Sequence, residues 1–292
     1  MTLNNLNLSS GIILLDKSEG ISSNTAMQKI RRGLKIKKMG HTGTLDPLAT
    51  GMLPLCFGKA TRLCSYFLDA NKTYQTRIAL GEKRATGDRE GAVIDTQEVP
   101  EFSQEKLEQV LSSFVGVQSQ IPPMFSALKK DGKALYELAR EGIEIDREPR
   151  EINIYEIKLL EFGKDFLELI ISCSKGTYIR TLGEDIAQAL GTVGYLASLK
   201  RLSCGNFKES QMHSEQAILT NPEDKVLTLE QALNWPAIKI NSADSTALLQ
   251  GKSPKISVKH TGLIFLKSEE SGEIIGFGEG ENQRLKWRTF LI

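Results

Sequence analysis

Apolar residues at helical spacing predict two helices in the first half of the chain. The first carries Ala26, Met27 and Ile30 between the pair Ser22-Ser23 and Gly33, an order typical of a cap, an apolar stripe and a stop. The second follows a cap at Ser103 and carries Leu107, Val110, Leu111 and Phe114.

Two other segments have the pattern of β-strands. From Thr73 to Leu80 the residues alternate, with Tyr74, Thr76, Ile78 and Leu80 on one face. The segment Phe166–Cys173 is a nearly continuous apolar run, which predicts a buried strand.

After Cys173 the chain is expected to change from strand to helix. It reads KGTYIR and then TLGEDIAQALG, in which Thr181 and Glu184 form a capping-box pattern and Gly191 closes the helix. Arg180 then lies at the junction, beside a helix N-terminus that favours an anion. Strand alternation predicts that Tyr178 and Arg180 share one face and point into one pocket.

The pattern changes near Trp235-Pro236. From there we expect a short helix around Leu248 and Leu249, then strands at Gly262–Lys267 and Glu273–Gly278 joined by the turn SEESG, and a basic, aromatic end. Residues 236–292 therefore form a small, mostly β domain. Residues 1–235 mix strands and helices without regular alternation, which indicates an α+β domain.

Composition excludes several classes of protein. The chain has 292 residues, 40% of them hydrophobic and 25% charged, which is ordinary for a globular protein. Its four cysteines form no CxxC pair and it has only three histidines, so we expect no metal site and reduced thiols in the cytoplasm. The N-terminus has no basic start, and its apolar run, Gly11–Leu15, is too short for a signal peptide or a membrane span.

Charge is distributed unevenly although the net charge is only +1. The segment Ile21–Leu45 has no acidic residue and contains Lys29, Arg31, Arg32, Lys35, Lys37 and Lys38. Such a run is equally compatible with phosphate binding and with a solvated helix face, so charge alone leaves both interpretations open.

The segment GHTGTLDPLATG, Gly40–Gly51, is the strongest candidate for chemistry. Pro47 pushes the preceding Asp46 towards an extended backbone, and the glycines permit tight turns. Three threonines can bond nearby main chain, namely Thr42, Thr44 and Thr50. The pattern suits a carboxylate held on a stiff loop, as a nucleophile requires, but by itself it is more typical of a structural turn.

The sequence GHTGTLDPLATGMLP closely resembles the catalytic loop of the bacterial tRNA pseudouridine-55 synthases, the TruB family. Five further segments resemble family motifs in the same order: LLDKSEGISSN (Leu14–Asn24), KTYQTRIALGEKRATGDREG (Lys72–Gly91, with Tyr74 and Asp88), QIPPMFSALKKDGKALYELAREG (Gln120–Gly142), SKGTYIRTLGEDIA (Ser174–Ala187) and LKRL (Leu199–Leu202). The family usually has proline where this chain has Ser18, which bears on the rigidity of one turn.

This resemblance implies the pseudouridine-synthase fold, a mixed and largely antiparallel sheet with flanking helices, followed by a PUA-like RNA-binding domain. It implies isomerisation of the uridine at position 55 in the T loop of tRNA, without cofactor or metal. Asp46 would be the catalytic carboxylate, Arg180 its partner and Tyr74 the residue that stacks on the uracil. Tyr178 and Leu199 would line the pocket, and His41 would lie near the flipped nucleotide. We expect Arg180 to outweigh burial and keep Asp46 ionised.

The segment of about residues 120–150 resembles the family's RNA-binding insertion, the thumb. Its basic residues would contact phosphates; they are Lys129, Lys130, Lys133, Arg140, Arg147 and Arg150. A solvated amphipathic helix at Leu135–Arg140 is the alternative. The expected partner is the T stem-loop of tRNA, bound by a monomer.

Three other classes were weighed against this hypothesis. A non-catalytic tRNA-binding or RNA-folding protein would bind tRNA without depending on Asp46. An aspartyl phosphotransferase is suggested by TGTLD, but in those enzymes the aspartate precedes TGT and Mg²⁺ is needed. A glycosidase would need a second carboxylate beside Asp46, which the motif lacks.

Overall fold

The computed structural model describes residues 10–252 and 254–291. The expected absence of a targeting segment rests partly on the start of the chain, which lies outside the described residues. Strands β1–β17 lie at Gly11–Lys17, Met39–His41, Thr50–Phe57, Lys72–Leu80, Glu82–Arg84, Val93–Thr96, Gly116–Gln120, Lys129–Lys130, Lys133–Ala134, Arg150–Phe162, Phe166–Cys173, Gly194–Cys204, Val226–Leu227, Ala237–Ile240, Gly262–Ser268, Ile274–Glu281 and Arg284–Phe290. Helices α1–α8 lie at Ser23–Gly33, Cys64–Leu68, Gln104–Ser113, Leu135–Arg140, Ile179–Ala189, Glu215–Thr220, Leu229–Leu233 and Ser242–Leu249.

Elements predicted from clear periodicity are confirmed. The Ser22 hydroxyl caps α1 by accepting from Thr25 N–H, and Ser103 caps α3 in the same way through Lys106 N–H. In β4 the predicted face is buried, and β11 spans the predicted residues with every second side chain buried. The local sequence pattern is therefore sufficient to predict these elements.

The larger sheet of the described residues has nine strands in the order β13-β1-β3-β12-β4-β11-β10-β7, with β2 added on β3. Only the β3–β12 pair is parallel, so the sheet is mixed and largely antiparallel, as expected. Helices α1, α3 and α5 pack on one face around a core that includes Ile30, Leu107 and Ile186. The register brings Leu199 opposite Thr76 and Arg201 opposite Tyr74, which places β12 residues beside the predicted uracil-stacking tyrosine.

The beginning of α5 differs from the prediction. The helix begins at Ile179 with Tyr178 as its N-cap, and no side chain caps it, so the capping box of Thr181 and Glu184 is wrong. Arg180 consequently lies in the first helical turn rather than on a strand, and strand alternation does not relate it to Tyr178. The side chain of Gln120 bonds both the N–H and the carbonyl of Tyr178. These bonds fix Tyr178 as the residue that precedes the first helical turn. The predicted stop at Gly191 is confirmed by its φ of 87°.

The C-terminal part contains the predicted helix, α8, and a sheet that has four strands in the described residues, β14-β15-β16-β17. Its β15 and β16 match the two predicted strands, whereas β14 and β17 were not predicted. Phe265 and Leu291 pack against Ile12 and Leu14 of the large sheet in one shared core. The boundary at residues 235–236 stays a prediction, since the two parts are in close contact.

No helix of the described residues combines the length and the apolar character needed to cross a membrane.

Candidate active site

Asp46 lies on the loop that joins β2 to β3. Its carbonyl accepts from Ala49 N–H at 3.0 Å, which forms the turn after Pro47. Gly51, at φ 93°, lies against β12: a Cβ there would come 2.3 Å from the Arg201 carbonyl oxygen. Glycine at this position therefore lets the loop run into β3 in close contact with β12.

Side chains from other elements hold this loop. Ser23 Oγ accepts from Leu45 N–H at 2.7 Å and donates to the Leu45 carbonyl at 2.9 Å. Lys17 Nζ, at the end of β1, donates to the Pro47 carbonyl at 3.3 Å. Both contacts flank Asp46, so its backbone is fixed on each side.

The expected role of Thr42 is wrong. Its hydroxyl is buried and has no hydrogen-bond partner among the described residues, so it does not stiffen the loop by bonding nearby main chain. Arg201 Nη2 instead donates to the Gly43 carbonyl at 3.1 Å, and Arg201 Nε donates to the Met52 carbonyl at 2.6 Å. The loop is thus stiffened by an arginine from β12 rather than by Thr42.

Arg180 and Asp46 form an ion pair, with Nε 3.0 Å from Asp46 Oδ2. A second carboxylate, Asp88, lies 3.6 Å from Arg180 Nη1. The guanidinium also donates to the carbonyls of Thr86 (2.9 Å) and Phe125 (2.6 Å). Because Arg180 is only 4% exposed, a mere surface ion pair is excluded.

The electrostatic balance at Asp46 differs from the expectation. Burial raises the pKa of Asp46, and this effect exceeds the lowering by Arg180. Asp88 raises the pKa of Asp46 further, while Lys17 lowers it. The side chain of Asp46 nevertheless keeps 35% of its surface exposed, so a substrate can reach the carboxylate.

Tyr74 and Leu199 lie on the paired strands β4 and β12, each 8% exposed, with Leu199 opposite Thr76. Burial raises the pKa of Tyr74 to about 12, although the neighbouring Arg201 charge lowers it. The phenol is therefore neutral at physiological pH. Arg201 itself is 1% exposed.

Tyr178 and His41 are half-buried nearby. Burial raises the pKa of Tyr178, and the charges of Arg180 and Asp46 are close enough to influence it. Burial and the Arg201 charge lower the pKa of His41, which favours its neutral form. Its Nδ1 is buried and lacks a hydrogen-bond partner in the described part of the chain. All six predicted residues of the site thus lie on elements that meet around the loop.

The basic residues of the thumb are mostly exposed, and the Arg150 charge lies close enough to the Tyr178 phenol to lower its pKa. Lys129 and Lys130 form β8, Lys133 pairs with Glu141 at 3.2 Å, and the Arg140 guanidinium lies 5.5 Å from the Tyr136 ring centroid. Arg147 is half-buried and donates to Glu144 at 3.2 Å, whereas Arg150 is exposed at the start of β10. The lysines of this set are therefore open to solvent, whereas Arg150 lies near Tyr178 at the carboxylate centre.

Sequence reasoning missed several residues that shape the site: Lys17, Ser23, Gln120 and Arg201. Each lies within a segment that resembles a family motif, so the motifs were the signal available. Within the described residues, no group of three or more His, Cys, Asp or Glu side chains could hold a metal ion.

Two family models match the chain consecutively. The model of the TruB family pseudouridylate synthase N-terminal domain matches residues 31–179. The model of the tRNA pseudouridylate synthase B C-terminal domain matches residues 180–234.

Relatives and solved structures agree with these models. The chain is 45% identical to tRNA pseudouridine synthase B of Chromohalobacter salexigens over 84% of this chain and 82% of that protein. It is 42% identical to tRNA pseudouridine synthase B of Dechloromonas aromatica over 97% and 95% of the two chains. A chain of a Cbf5-Nop10-Gar1 complex has the same fold, with a TM-score of 0.75 at 22% identity over 99% of this chain and 87% of its own length. The chain belongs to the TruB family of pseudouridylate synthases.

Proposed function

We propose that this protein isomerises uridine to pseudouridine in tRNA, with the uridine at position 55 of the T loop as its target. The observation that carries the proposal is the carboxylate of Asp46, fixed on both sides and paired with the buried Arg180. The names of the relatives, tRNA pseudouridine synthase B, support tRNA as the substrate.

The reaction breaks the bond between sugar C1′ and base N1 and forms a bond between C1′ and C5, while C5 loses its proton and N1 gains one. Nothing is oxidised and no group is imported, so one well-placed carboxylate can serve as nucleophile or base. Asp46 takes this role, and Arg180 orients its carboxylate. Tyr74 supplies a neutral ring against the uracil, while Leu199, Tyr178 and His41 enclose the extruded nucleotide.

The thumb and the C-terminal domain bind RNA in this proposal. Exposed lysines of the thumb hold phosphates, whereas RNA shape sets the register. Residues 236–292 add contacts to full-length tRNA beyond the T stem-loop. We expect the protein to act as a monomer in the cytoplasm, where its four cysteines, all free thiols, stay reduced.

The decisive experiment is Asp46→Asn assayed with unmodified tRNA. Pseudouridine formation should fall below detection while tRNA affinity stays within about tenfold, or ~1.4 kcal/mol. The matched control is Asp165→Asn, the same substitution on an exposed carboxylate in the β10–β11 turn, which should keep full activity. Turnover by Asp46→Asn at the wild-type rate would refute the role of Asp46.

The same assay tests the substrate and the competing classes. An isolated T stem-loop should also be modified, because its loop bases can be splayed out whereas bases in an RNA duplex cannot. Modification that maps to another arm would contradict the proposed target. Activity should persist in excess chelator without nucleotide; loss that Mg²⁺ restores, on a stem-loop folded without Mg²⁺, would favour a phosphotransferase.

A further inference from the structure

The thumb leaves the large sheet and returns to it at a single pair of residues on neighbouring strands. Strand β7 ends at Gln120, β10 begins at Arg150, and these two residues are paired in the β7–β10 ladder. The residues of the thumb lie between these two paired residues, so both ends of the thumb join the large sheet at the same place. Gln120 at this point is only 5% exposed, although its strand neighbour Ser119 is exposed.

The side chain of Gln120 points to the beginning of α5. Its Nε2 donates to the Tyr178 carbonyl at 3.1 Å, and its Oε1 accepts from Tyr178 N–H at 2.8 Å. With one amide side chain, Gln120 thus makes the donor and acceptor pair of hydrogen bonds that a neighbouring β-strand would make with Tyr178. Because no side chain caps α5, the Gln120 amide is what fixes the backbone two residues before Arg180.

A second contact joins the thumb directly to the catalytic arginine. The carbonyl of Phe125, a thumb residue, accepts from Arg180 Nη2 at 2.6 Å. The adjoining main chain is bonded to α4, through Tyr136 N–H to the Ser126 carbonyl (3.1 Å) and Leu135 N–H to the Leu128 carbonyl (2.8 Å). The hairpin that carries Lys129 and Lys130 is thus connected to the Arg180 guanidinium through the main chain that begins at Phe125.

Part of the thumb is separated from the body of the protein by open space. A cleft of about 410 Å³ separates the two, with Phe125 and Arg147 on the thumb side and Thr86 and Thr181 on the other. An open cleft cannot transmit position through van der Waals contact, since packing determines position only where atoms touch. The hydrogen bonds at Gln120 and Phe125 therefore carry the positional link.

We propose that Gln120 is a positioning residue that couples the RNA-binding thumb to Arg180, and through Arg180 to Asp46. This inference rests on the proposed function, in which Asp46 performs the chemistry and the thumb holds tRNA. Through Gln120, the strand rung that supports the thumb also sets the start of α5. RNA contacts made by the thumb thereby stabilise the arrangement of Arg180 that the reaction needs.

The link has an electrostatic signature. Asp46 is faced by Arg180 from α5, Asp88 from the loop before β6, Lys17 from β1 and the Tyr178 phenol. Arg180 lowers the pKa of Asp46 against the effect of burial, so a less firmly held Arg180 lets that pKa rise. Loss of the Gln120 bonds should therefore move the acid limb of the pH–rate profile to higher pH.

The test compares Gln120→Met, which removes both bonds at similar volume, with Gln120→Glu, which keeps the acceptor but loses the donor to the Tyr178 carbonyl. The matched control is Gln118→Met on the same strand, where the amide donates to the Ser113 carbonyl. Gln120→Met should lower the single-turnover rate at saturating tRNA about tenfold or more, as small misplacements of reacting groups do. Its Kd for tRNA should stay within about threefold, and Gln120→Glu should fall between Gln120→Met and wild type.

A readout independent of activity separates this inference from the proposed function. The Asp46 carboxyl signal, assigned by comparison with Asp46→Asn, is titrated by NMR in the free protein. In Gln120→Met the Asp46 pKa should rise by about half a unit or more, and in Gln118→Met it should not change. If wild type forms no pseudouridine, the proposed function fails while this titration still tests the coupling. An unchanged Asp46 pKa in both folded Gln120 variants, or equal rate loss in the Gln118 variant, would overturn it.

Discussion

Asp46 shares the Arg180 guanidinium with a second carboxylate, Asp88, and both Arg180 and Asp88 lie farther along the chain than Asp46. The sequence motif identified Asp46 and Arg180 correctly as neighbours, because the resemblance carried that pairing. It did not indicate the sign of the pKa shift, which depends on how deeply the carboxyl is buried. Burial is a property of the assembled sheet and loops, so no local pattern encodes it.

The residues missed at this scale share one feature. Ser23, Lys17, Gln120 and Arg201 bond main-chain groups rather than charged side chains. A buried side chain that satisfies a distant carbonyl leaves no periodicity or charge pairing in the sequence. Apart from their place within family motifs, such residues are recognised once the pairing of the strands is known.

At the residue scale we predict a pH effect of Asp88. Asp46 must be ionised to act, and its pKa lies above the ordinary value, so the rate should fall as pH falls through that raised pKa. Asp88 raises the pKa of Asp46, hence Asp88→Asn should move the acid limb to lower pH, whatever its effect on the maximal rate. Single-turnover rates across the acid range measure the shift.

The control for this prediction is Glu90→Gln, which removes one negative charge from the same loop at an exposed position. Its acid limb should coincide with that of wild type. An acid limb that moves to higher pH in Asp88→Asn would contradict the electrostatic role assigned to Asp88.

At the scale of elements, the capped helices α1 and α3 and the strands β4 and β11 were predicted, whereas the first residue of α5 was not. The first residue of α5 is determined by hydrogen bonds from Gln120 of β7. Thr181 and Glu184 match the capping-box pattern but do not cap the helix. Strands β14 and β17 were missed for a related reason. They are defined by pairing with β15 and β16 rather than by a pattern of their own.

We predict that two adjacent serines at the start of α1 have different functions. Ser22→Ala removes a helix cap and should cost about 1 kcal/mol of stability with normal activity. Ser23→Ala leaves the buried N–H of Leu45 unpaired, which costs about 1–3 kcal/mol, and it frees the backbone beside Asp46. The rate at saturating tRNA should therefore fall only in Ser23→Ala.

Chemical denaturation and single-turnover assays on the two serine variants measure both effects. Equal rates in the two variants, at temperatures where both are folded, would show that Ser23 does not position the loop. Equal loss of stability alone would not distinguish the two roles.

The thumb gives a prediction about RNA affinity. Neutralising Lys129, Lys130 and Arg140 together should weaken tRNA binding, and each lost phosphate contact should reduce the slope of log K against log salt by roughly 0.7–0.9. The matched control is Lys164→Gln, which removes one charge at the exposed β10–β11 turn and should leave the slope unchanged. An unchanged slope in the triple variant would mean that these residues form a solvated face.

At the scale of the whole molecule, composition and patterning predicted two parts but not how they meet. The sheet of the C-terminal part packs its Phe265 against Ile12 and Leu14, on the face of the large sheet opposite α1 and α5. Trp235 lies 5.0 Å from both Tyr66 and Phe265 between ring centroids. Burial of one part by the other has no signature in either segment alone.

The shared core changes what deletion of the C-terminal part should do. An independent RNA-binding unit could be removed with a loss of tRNA affinity and little else. Here, deletion from Trp235 onward exposes Ile12 and Leu14, which are 0% and 1% exposed in the full chain. We therefore expect the truncated protein to be strongly destabilised and prone to aggregation, because exposed core surface costs about 25 cal/mol per Å².

A pair of point substitutions tests the same idea without truncation. Phe265→Ala empties a fully buried position in the shared core and should cost about 3–5 kcal/mol, whereas Leu249→Ala, 52% exposed in the same part, should cost less than about 0.5 kcal/mol. If the core couples the two parts, Phe265→Ala lowers the denaturation midpoint reported by Asp46-dependent activity as well as the midpoint reported by tryptophan fluorescence. The contrary outcome is activity that survives to the wild-type midpoint while the fluorescence transition moves to lower denaturant. That result would show that the two parts unfold independently, so that the C-terminal part is a separate domain rather than a part of one cooperative unit.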